Sequence, residues 1–426
     1  MEPTQARMGL GACNAVSTGA DAGLESNFEE GSGRTHARST LANHEDFLPI
    51  TSLDPSCRVL HVGKFYPPHM GGIETHLQSL CTELQTAVDL RVIVSSDDGR
   101  ASEERHEGFP IYRVPTRLHV ASTPLCPGMI AKIRACDSDI IHLHLPNPMA
   151  VLAYLASGHR GRLVVTYHSD MVRQRILATL FEPFLHAALR RSSAIIATSP
   201  NYVQTSPILA PYRDRCHVIP LGVRIQDFDR CDPSLAESVR AKYGDRLIVS
   251  VGRLVYYKGF EYLIQAMPQV RGTLLLVGEG PLRTDLQALA AKLGVASRVH
   301  FLGKIDHQTL VSCYHASQVF VFASIARSEA FGIAQVEAMA AGMPVVNTQL
   351  DSGVPFVSQH ERTGLTVPPR DPEGLAIAIN RLLGDERLRS SFAEAASLRA
   401  HQEFSVETMA ARTLELYSTV MAGRAA

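Results

Sequence analysis

Short runs of aliphatic and β-branched residues alternate with longer segments of helical periodicity along most of the chain. The runs that predict strands in the first half lie at 58–63, 90–96, 111–115, 139–146, 162–167, 194–199 and 217–223. Between them, the spacing of apolar residues predicts helices, including one that opens near Gly72 and a long one over 171–191. Strands and helices that alternate in this way favour a parallel sheet covered by helices on both faces.

The alternation restarts after a polar segment at about 224–245, which we interpret as an interdomain linker. The second set of predicted strands lies at 246–254, 273–281, 298–305, 319–324, 344–348 and 365–369. Two doubly wound α/β domains that face each other form a cleft at the carboxyl ends of their strands. The predicted organisation is a disordered tail over 1–56, a first domain over 57–223, a second domain over 224–405, and a final helix over 406–426 that returns towards the first domain.

Charge and composition exclude several classes of protein. The 41 basic and 42 acidic residues give a formal charge of −1, so the chain has no electrostatic signature of nucleic-acid binding. The eight cysteines form no Cys-x-x-Cys pair, which favours reduced thiols over a disulfide scaffold or a zinc site. Because the sequence has no run of about 18 apolar residues, we expect no membrane-spanning helix and a cytoplasmic protein.

Three glycine-containing turns follow predicted strands. Gly71 and Gly72 open the first helix, where unpaired backbone N–H groups and the helix dipole attract anions. Arg253 and Lys258 follow the first strand of the second half, and two cations at a strand end suit a diphosphate. The third turn, VGEGP at 277–281, permits close backbone approach to a flat ligand. Taken singly, each turn also fits an ordinary loop.

The segment RSEAFGIAQVEAMAAGMPVV, residues 327–346, places two glutamates around the start of a helix. Glu329 lies in the loop before the helix, and Glu337 lies about one turn inside it. Backbone N–H groups at 331–334 point outward there, and Gly332 lets an anion come close. A buried carboxylate needs hydrogen-bond donors, which the hydroxyl groups of a sugar would supply. The alternative is that the glutamates hold the fold together through salt bridges with Arg327, or with Arg253 and Lys258.

Together these motifs resemble the retaining, nucleotide-sugar-dependent glycosyltransferases of family four, which have the GT-B fold. The resemblance rests on Arg253, Lys258, the GEGP turn and Glu329-x7-Glu337, and it spans roughly residues 57–420. GGIE at 71–74 and TYHSD at 166–170 support it. It implies two Rossmann-like domains around a central cleft, with the acceptor on the side of the first domain and the nucleotide-sugar in the second.

The family's pattern implies a role for each matching residue. Arg253 and Lys258 would hold the donor diphosphate, and Glu337 would bind the ribose hydroxyls. Glu329 would hold the donor sugar and phosphate, and His168 would lie beside the sugar, which gives a catalytic set of His168, Arg253, Lys258 and Glu329. The predicted donor-binding set is Gly71, Gly72, Arg253, Lys258, Gly278, Glu279, Leu302, Gly303, Glu329, Phe331, Gly332, Ile333, Ala334 and Glu337. Of these, the base would lie near Gly278, Glu279, Leu302 and Gly303.

Three histidines are further candidates. His168 follows a predicted strand at the rim of the cleft, where a capping or packing role is the alternative to a sugar contact. His142 and His144 alternate along IIHLHLP and therefore share one face of a strand. No carboxylate completes a metal-ligand set around this pair. We interpret them as polar residues that line the acceptor side, and we predict no metal and no other cofactor.

The predicted reaction moves a sugar from a nucleotide-sugar to a lipid-linked or saccharide acceptor, with retention of anomeric configuration, in the synthesis of cell-surface polysaccharide or glycolipid. GDP-mannose is the favoured donor because the segment SGVPFVSQHERTGLTVPP at 352–369 is similar to bacterial mannosyltransferases of this family; UDP-sugars stay open. The helix at 171–191 has arginines near both ends and could rest on the cytoplasmic face of an anionic membrane; a core-facing helix is the alternative.

Other functions stay open at this point. A sugar-nucleotide epimerase or a phosphorylase could share the two-domain architecture, and a pyridoxal cofactor or dependence on free phosphate would mark the latter. A non-catalytic sensor or scaffold would bind the nucleotide-sugar without transferring or hydrolysing it. The presence of both cations and both glutamates favours an enzyme over a sensor.

Overall fold

The computed structural model describes residues 53–69, 71–106, 108–120, 123–170 and 175–423. The tail predicted over 1–56 lies outside this part of the chain, apart from residues 53–56. Two sheets of mainly parallel strands, each covered by helices, confirm the predicted α/β fold class.

The first domain is built on an eight-stranded sheet. The elements of this half are β1 (Arg58–Val62), α1 (Gly72–Leu84), β2 (Asp89–Ser95), β3 (Ser102–His106), β4 (Phe109–Val114), β5 (Leu118–Val120), β6 (Thr123–Leu125), α2 (Gly128–Ala135), β7 (Ile140–Leu145), α3 (Pro148–Ser157), β8 (Arg162–Tyr167), α4 (Arg175–Arg191), β9 (Ser192–Ala197), α5 (Pro200–Thr205) and β10 (Cys216–Val218). The strand order is β10-β9-β8-β7-β1-β2-β4-β3, and only β3 runs antiparallel to its neighbour. The β5–β6 pair forms a separate two-stranded sheet.

The second domain is built on a six-stranded, all-parallel sheet of order β13-β12-β11-β14-β15-β16. Its elements are α6 (Pro233–Tyr243), β11 (Leu247–Val251), α7 (Phe260–Ala266), β12 (Thr273–Val277), α8 (Arg283–Lys292), β13 (Val299–Gly303), α9 (His307–Ala316), β14 (Val319–Phe322), α10 (Ile333–Ala340), β15 (Val345–Thr348), α11 (Val354–Val357), β16 (Gly364–Val367), α12 (Pro372–Gly384) and α13 (Glu386–Glu403). A last helix, α14 (Val406–Met421), follows.

The topology of the second sheet explains where its site forms. The chain order reverses at β11, which pairs with β12 on one side and β14 on the other. Open α/β sheets bind ligands in the crevice outside the carboxyl ends of the strands at such a reversal. The loop after β11 carries residues 252–258, and the loop after β14 leads into α10. The topology therefore brings together two segments that lie far apart in sequence.

The polar segment expected to be a plain linker contains a helix. Asp232 caps α6 by accepting a hydrogen bond from the backbone N–H of Ser234, and Pro233 occupies the first helical turn. The helix packs on α9, and it buries Ala236 while Val239 and Tyr243 contact the core of the second domain. Because α6 buries only a narrow stripe, its composition is polar enough to resemble a loop.

The end of the chain returns to the first domain. After α13, the backbone of Phe404 accepts a hydrogen bond from Val223 (2.8 Å), and Val406 donates one back to Val223 (3.1 Å). Helix α14 then packs on α1 and β9. Gly222 lies at this crossing, where a Cβ atom would be 2.7 Å from the Cα atom of Val406. The linker and the start of α14 can approach this closely only because residue 222 has no side chain.

We expect Gly222→Ala to destabilise the protein by about 1–3 kcal/mol, because the new methyl group forces the two backbone segments apart. Urea unfolding followed by circular dichroism measures the change. Gly384→Ala is the control: it lies at the end of α12, a Cβ there meets no atom within 4 Å, and we expect a neutral or slightly stabilising effect. Equal midpoints for Gly222→Ala and the wild type would contradict this account of the crossing.

Candidate functional site

A cavity of about 270 Å³ lies between the two domains. One wall is the exposed side of α1, and the opposite wall is formed by α10 and the start of α9. The segment that joins the domains closes one end. The lining residues are Thr75, His76, Gln78, Ser79, Thr82, Gly222, Val223, Arg224, Asp227, Phe228, His307, Ile333 and Glu337. The predicted donor residues Ile333 and Glu337 thus face the helix that Gly72 opens.

Lys258 and Glu329 form a nearly buried ion pair. Their Nζ and Oε2 atoms are 2.5 Å apart, and the side chains are only 16% and 11% exposed. The Ser324 hydroxyl donates a weaker hydrogen bond (3.4 Å) to the same carboxylate oxygen. Lys258 Nζ also lies 4.8 Å from the centre of the Phe322 ring. The salt bridge that the sequence left open as an alternative is therefore present between these two residues.

Glu337 is hydrogen-bonded from within its own domain. Tyr314 on α9 donates its hydroxyl hydrogen to Oε2 of Glu337 at 2.9 Å. Burial raises the pKa of the Glu337 carboxyl, and the Tyr314 hydrogen bond offsets part of that rise. Since Tyr314 engages only one of the two oxygens, Glu337 can still accept hydrogen bonds from a ligand on the cavity side.

The start of α10 presents unpaired backbone donors. Gly332 has φ of +86°, and a Cβ there would lie 2.8 Å from an atom of the Phe322 ring, so only glycine fits. Within the described residues, the backbone N–H groups of residues 331–334 have no acceptor. The Phe331 side chain is buried in the core, whereas Ile333 and Ala334 are half-buried. Four N–H groups at one helix end form an anion site.

The turn after β12 is held by backbone contact with its neighbours. Gly278 donates its N–H to the carbonyl of Gly303 at 2.9 Å, and it has φ of +131°. A Cβ at Gly278 would be 2.1 Å from the carbonyl oxygen of Gly252. Glu279 pairs with Arg283 at 2.7 Å, and the Leu302 side chain packs against the domain core. Any contact of Leu302 with a base would therefore involve its backbone.

The remaining predicted donor residues, Arg253, Gly71 and Gly72, are not among the residues that line the cavity. The Arg253 side chain is exposed and makes no ion pair or hydrogen bond with any other described residue. Gly71 is the residue before α1, and Gly72 begins it. A Cβ at Gly72 would meet no atom within 4 Å, so the space at the start of α1 is open.

Histidines meet at the carboxyl ends of three neighbouring strands and on α1. They are His61, His76, His142, His144 and His168, and all five are buried. Burial lowers the pKa of His61 to about 3 and that of His76 to about 4. Burial also holds the pKa values of His142, His144 and His168 well below the ordinary range. The cluster is therefore neutral at physiological pH.

Contacts between ring nitrogens and the Tyr417 hydroxyl link four of these histidines to the C-terminal helix. The Tyr417 hydroxyl lies 2.6 Å from His142 Nδ1 and 3.2 Å from His61 Nε2. His61 Nδ1 lies 3.0 Å from His144 Nε2, and His144 Nδ1 lies 3.4 Å from His168 Nε2. His142 and His144 are thus internal members of a network, whereas His168 lies at its end, next to His76, which lines the cavity.

The sequence showed no carboxylate that would complete a metal-ligand set around His142 and His144, but only residues close to them in sequence could be compared. The fold adds further histidines to this pair. Two groups, His61 with His142 and His144, and His76 with His144 and His168, have ligand atoms that lie within 4.8 Å of one another.

Two Asp-x-Asp sequences also occur in the chain, at 137–139 and 227–229. Asp137 and Asp139 pair with Arg58 at the amino end of β7, and Asp227 lines the cavity.

A contact between the domains depends on residues that sequence patterns did not single out. Arg327, in the loop before α10, pairs with Asp170 of the first domain at 3.1 Å and donates to the carbonyl of Thr205 at 2.7 Å. Its guanidinium lies 4.9 Å from the centre of the Tyr202 ring. Arg327 therefore pairs across the cleft and not with either glutamate. The TYHSD motif contained Asp170, but nothing in the sequence indicated its partner.

Two family models match the chain in tandem. Residues 70–227 match the model described as Glycosyltransferase Family 4, and residues 233–399 match Glycosyl transferases group 1. A D-rhamnosyltransferase, WbpZ from Pseudomonas aeruginosa, is 34% identical over 352 residues, which cover 82% of this chain and 92% of the relative. The chain belongs to glycosyltransferase family four. The predicted family and the prediction of a transferase enzyme are confirmed.

Other relatives of this glycosyltransferase match it over nearly their full length. O-antigen chain mannosyltransferase C from Escherichia coli is 32% identical over 370 residues, 85% of this chain and 99% of the relative. A GDP-mannose-dependent alpha-(1-6)-phosphatidylinositol monomannoside mannosyltransferase from Mycolicibacterium smegmatis is 30% identical over 386 residues, which cover 84% of this chain and 98% of the relative. The crystal structure of HepE from Anabaena in complex with UDP superposes with a TM-score of 0.70 at 22% identity, and covers 85% of this chain and 100% of HepE. The GT-B fold is confirmed.

The neutral histidine cluster predicts that acid destabilises the glycosyltransferase. In the unfolded chain, histidine titrates near pH 6.5, whereas folded His61 and His76 titrate at about 3 and about 4. Their contribution to the free energy of unfolding is complete above pH 6.5. It is lost as the pH falls, by up to about 1.4 kcal/mol per pH unit for each histidine. Urea midpoints at pH 7.5 and 5.5, measured with EDTA present, should show a lower midpoint at pH 5.5. His76→Leu should reduce this difference, and His119→Gln, on exposed β5, should not.

The buried ion pair predicts strong coupling between its partners. Lys258→Met leaves the Glu329 carboxylate without its cation, and we expect a loss in unfolding free energy of about 3–5 kcal/mol. Adding Glu329→Gln to that variant should recover most of the lost unfolding free energy, because no buried charge is left unpaired. Glu237→Gln removes an exposed pair with Arg240 and should cost at most about 1 kcal/mol. Additive effects of the two substitutions at the buried pair would contradict this interpretation.

Proposed function

We propose that this glycosyltransferase transfers mannose from GDP-mannose to a lipid-linked or saccharide acceptor, with retention, in the synthesis of a cell-surface glycan. The observation that carries the proposal is the joint placement of a buried Lys258–Glu329 pair and four unpaired N–H groups beside the cavity that Glu337 lines. The names of the relatives, two mannosyltransferases and one D-rhamnosyltransferase, support the choice of sugar.

The proposed mechanism stabilises the departing diphosphate. As the bond from the anomeric carbon to the diphosphate oxygen breaks, negative charge develops on that oxygen. In this mechanism, Arg253, Lys258 and the N–H groups at 331–334 receive this charge, and the unpaired N–H groups support that role. The acceptor hydroxyl forms its new bond on the same face of the sugar, and a phosphate oxygen takes its proton. Glu337 holds the ribose, and His168 orients the sugar.

The acceptor side of the proposal rests on α4. Leu180 is 67% exposed and Phe184, one turn further, is 48% exposed, while Leu185 and Leu189 are buried in the first domain. Arg190 and Arg191 end the helix. None of the helices in the described part of the chain combines the length and the apolar character that a bilayer-spanning segment needs. We propose that α4 instead lies on an anionic membrane surface, where it would bring the cleft to a lipid-linked acceptor.

Donor hydrolysis without acceptor tests the donor site first. We expect slow nucleotide release from GDP-mannose and less from UDP-glucose, UDP-GlcNAc and UDP-galactose, with the α anomer of mannose as the first product seen by NMR. Glu337→Ala should lower kcat/KM by about 10- to 100-fold, since it removes charge-assisted hydrogen bonds to hydroxyls. Glu373→Gln, an exposed carboxylate on α12, is the matched control.

The same assay separates the competing functions. Tight nucleotide binding without release from any donor would favour a non-catalytic sensor. Release from a UDP-sugar alone would overturn the choice of GDP-mannose while leaving the donor site in place. Normal release by Glu337→Ala would contradict the role of Glu337.

A further inference from the structure

His76, His144 and His168 converge on one point although they come from three elements. His76 lies on α1, His144 is near the end of β7, and His168 directly follows β8. Their exposed fractions are 5%, 1% and 5%. One ring nitrogen from each lies within 4.8 Å of the others. Three buried imidazoles in such proximity form a set of nitrogen ligands.

The spacing of two of these rings fits a shared cation better than a direct hydrogen bond. His144 Nδ1 and His168 Nε2 are 3.4 Å apart. A good N–H···N bond is shorter, at about 3 Å. Two ligands of a tetrahedral zinc ion, each about 2.0–2.1 Å from the metal, lie about 3.3–3.4 Å apart. The pair is therefore spaced as two ligands of such an ion.

His76 provides a second observation that is independent of the spacing between His144 and His168. Both of its ring nitrogens are buried and neither has a hydrogen-bond partner among the described residues. Buried polar groups in native structures nearly always have a hydrogen-bond partner, so this arrangement calls for a partner that the described residues do not provide. His76 also lines the cavity between the domains, so an ion at this point can enter from the cleft.

The neighbouring residues form an outer shell with one consistent set of proton positions. A metal on His144 Nδ1 leaves the hydrogen on Nε2, which then donates to His61 Nδ1 at 3.0 Å. His61 in turn donates from Nε2 to the Tyr417 hydroxyl at 3.2 Å, and Tyr417 donates to His142 Nδ1 at 2.6 Å. The alternative group of His61, His142 and His144 would use nitrogens already engaged in this chain, which favours the His76 group.

We propose that the glycosyltransferase binds one Zn²⁺ ion through His76, His144 and His168, with the fourth coordination position facing the cavity. Imidazole nitrogens are suitable ligands for Zn²⁺, and these three come from one buried cluster. This binding does not depend on which sugar the enzyme transfers. Since His168 is also the residue expected to orient the donor sugar, a bound ion would compete with the donor for this position.

Metal titration of the full-length, chelator-treated protein tests the site. We expect one Co²⁺ per chain with the intense visible absorption of tetrahedral coordination, displaced by Zn²⁺, and one Zn²⁺ per chain by calorimetry. His76→Ala should weaken binding by more than the roughly 10–100-fold that loss of an outer-shell partner costs, and His61→Leu should fall within that range. His119→Ala, which removes an exposed histidine, should leave affinity unchanged.

The outcomes decide the proposal independently of any transferase assay. No binding of Zn²⁺ or Co²⁺ by the wild type at micromolar concentrations overturns it, as does full affinity in His76→Ala. Binding that His119→Ala removes would place the ion on the surface and also overturn it. If His76→Ala does not fold by circular dichroism, His168→Ala replaces it: loss of the Co²⁺ absorption supports the site, and retention rejects it.

Discussion

The buried contact between Lys258 and Glu329 is the interaction on which the second domain's half of the site depends. Lys258 follows β11 and Glu329 precedes α10, so the pair joins the two loops that the reversal of strand order brings together. An isolated charge at this depth would cost several kcal/mol, and each partner removes that cost for the other. The start of α10, with its unpaired N–H groups, is consequently held beside the loop that carries Lys258.

The first domain contributes a polar interior where a core is usually apolar. The imidazole chain from His168 to His142 is completed by Tyr417, which comes from the far end of the sequence on α14. Polar networks of this kind specify one arrangement because an unpaired member is costly at low dielectric constant. The close crossing at Gly222 therefore matters for this network as well as for stability: it positions α14, and through Tyr417 it positions the buried His61 and His142.

Periodicity and turn chemistry predicted the two sheets and the helix starts near Gly72 and Gly332. They could not predict α6, because a helix that buries a single stripe resembles a polar linker. They also missed His61, His76 and Tyr417, since these residues meet the histidines of β7 only through the strand order of the first sheet and the packing of α1 and α14. Arg327 illustrates the same difference: local spacing suggested a glutamate partner, and tertiary packing gave it Asp170.

The two walls of the cleft differ in how they can discriminate between ligands. The second domain offers a backbone turn at Gly278, a helix start and an ion pair, so its wall is built mainly from backbone groups. The wall formed by α1 offers the side chains of Thr75, His76 and Ser79, which can read the positions of individual hydroxyl groups. The side-chain wall can therefore change through substitutions along α1, whereas the backbone wall keeps its geometry only as long as Gly278 and Gly332 remain glycine.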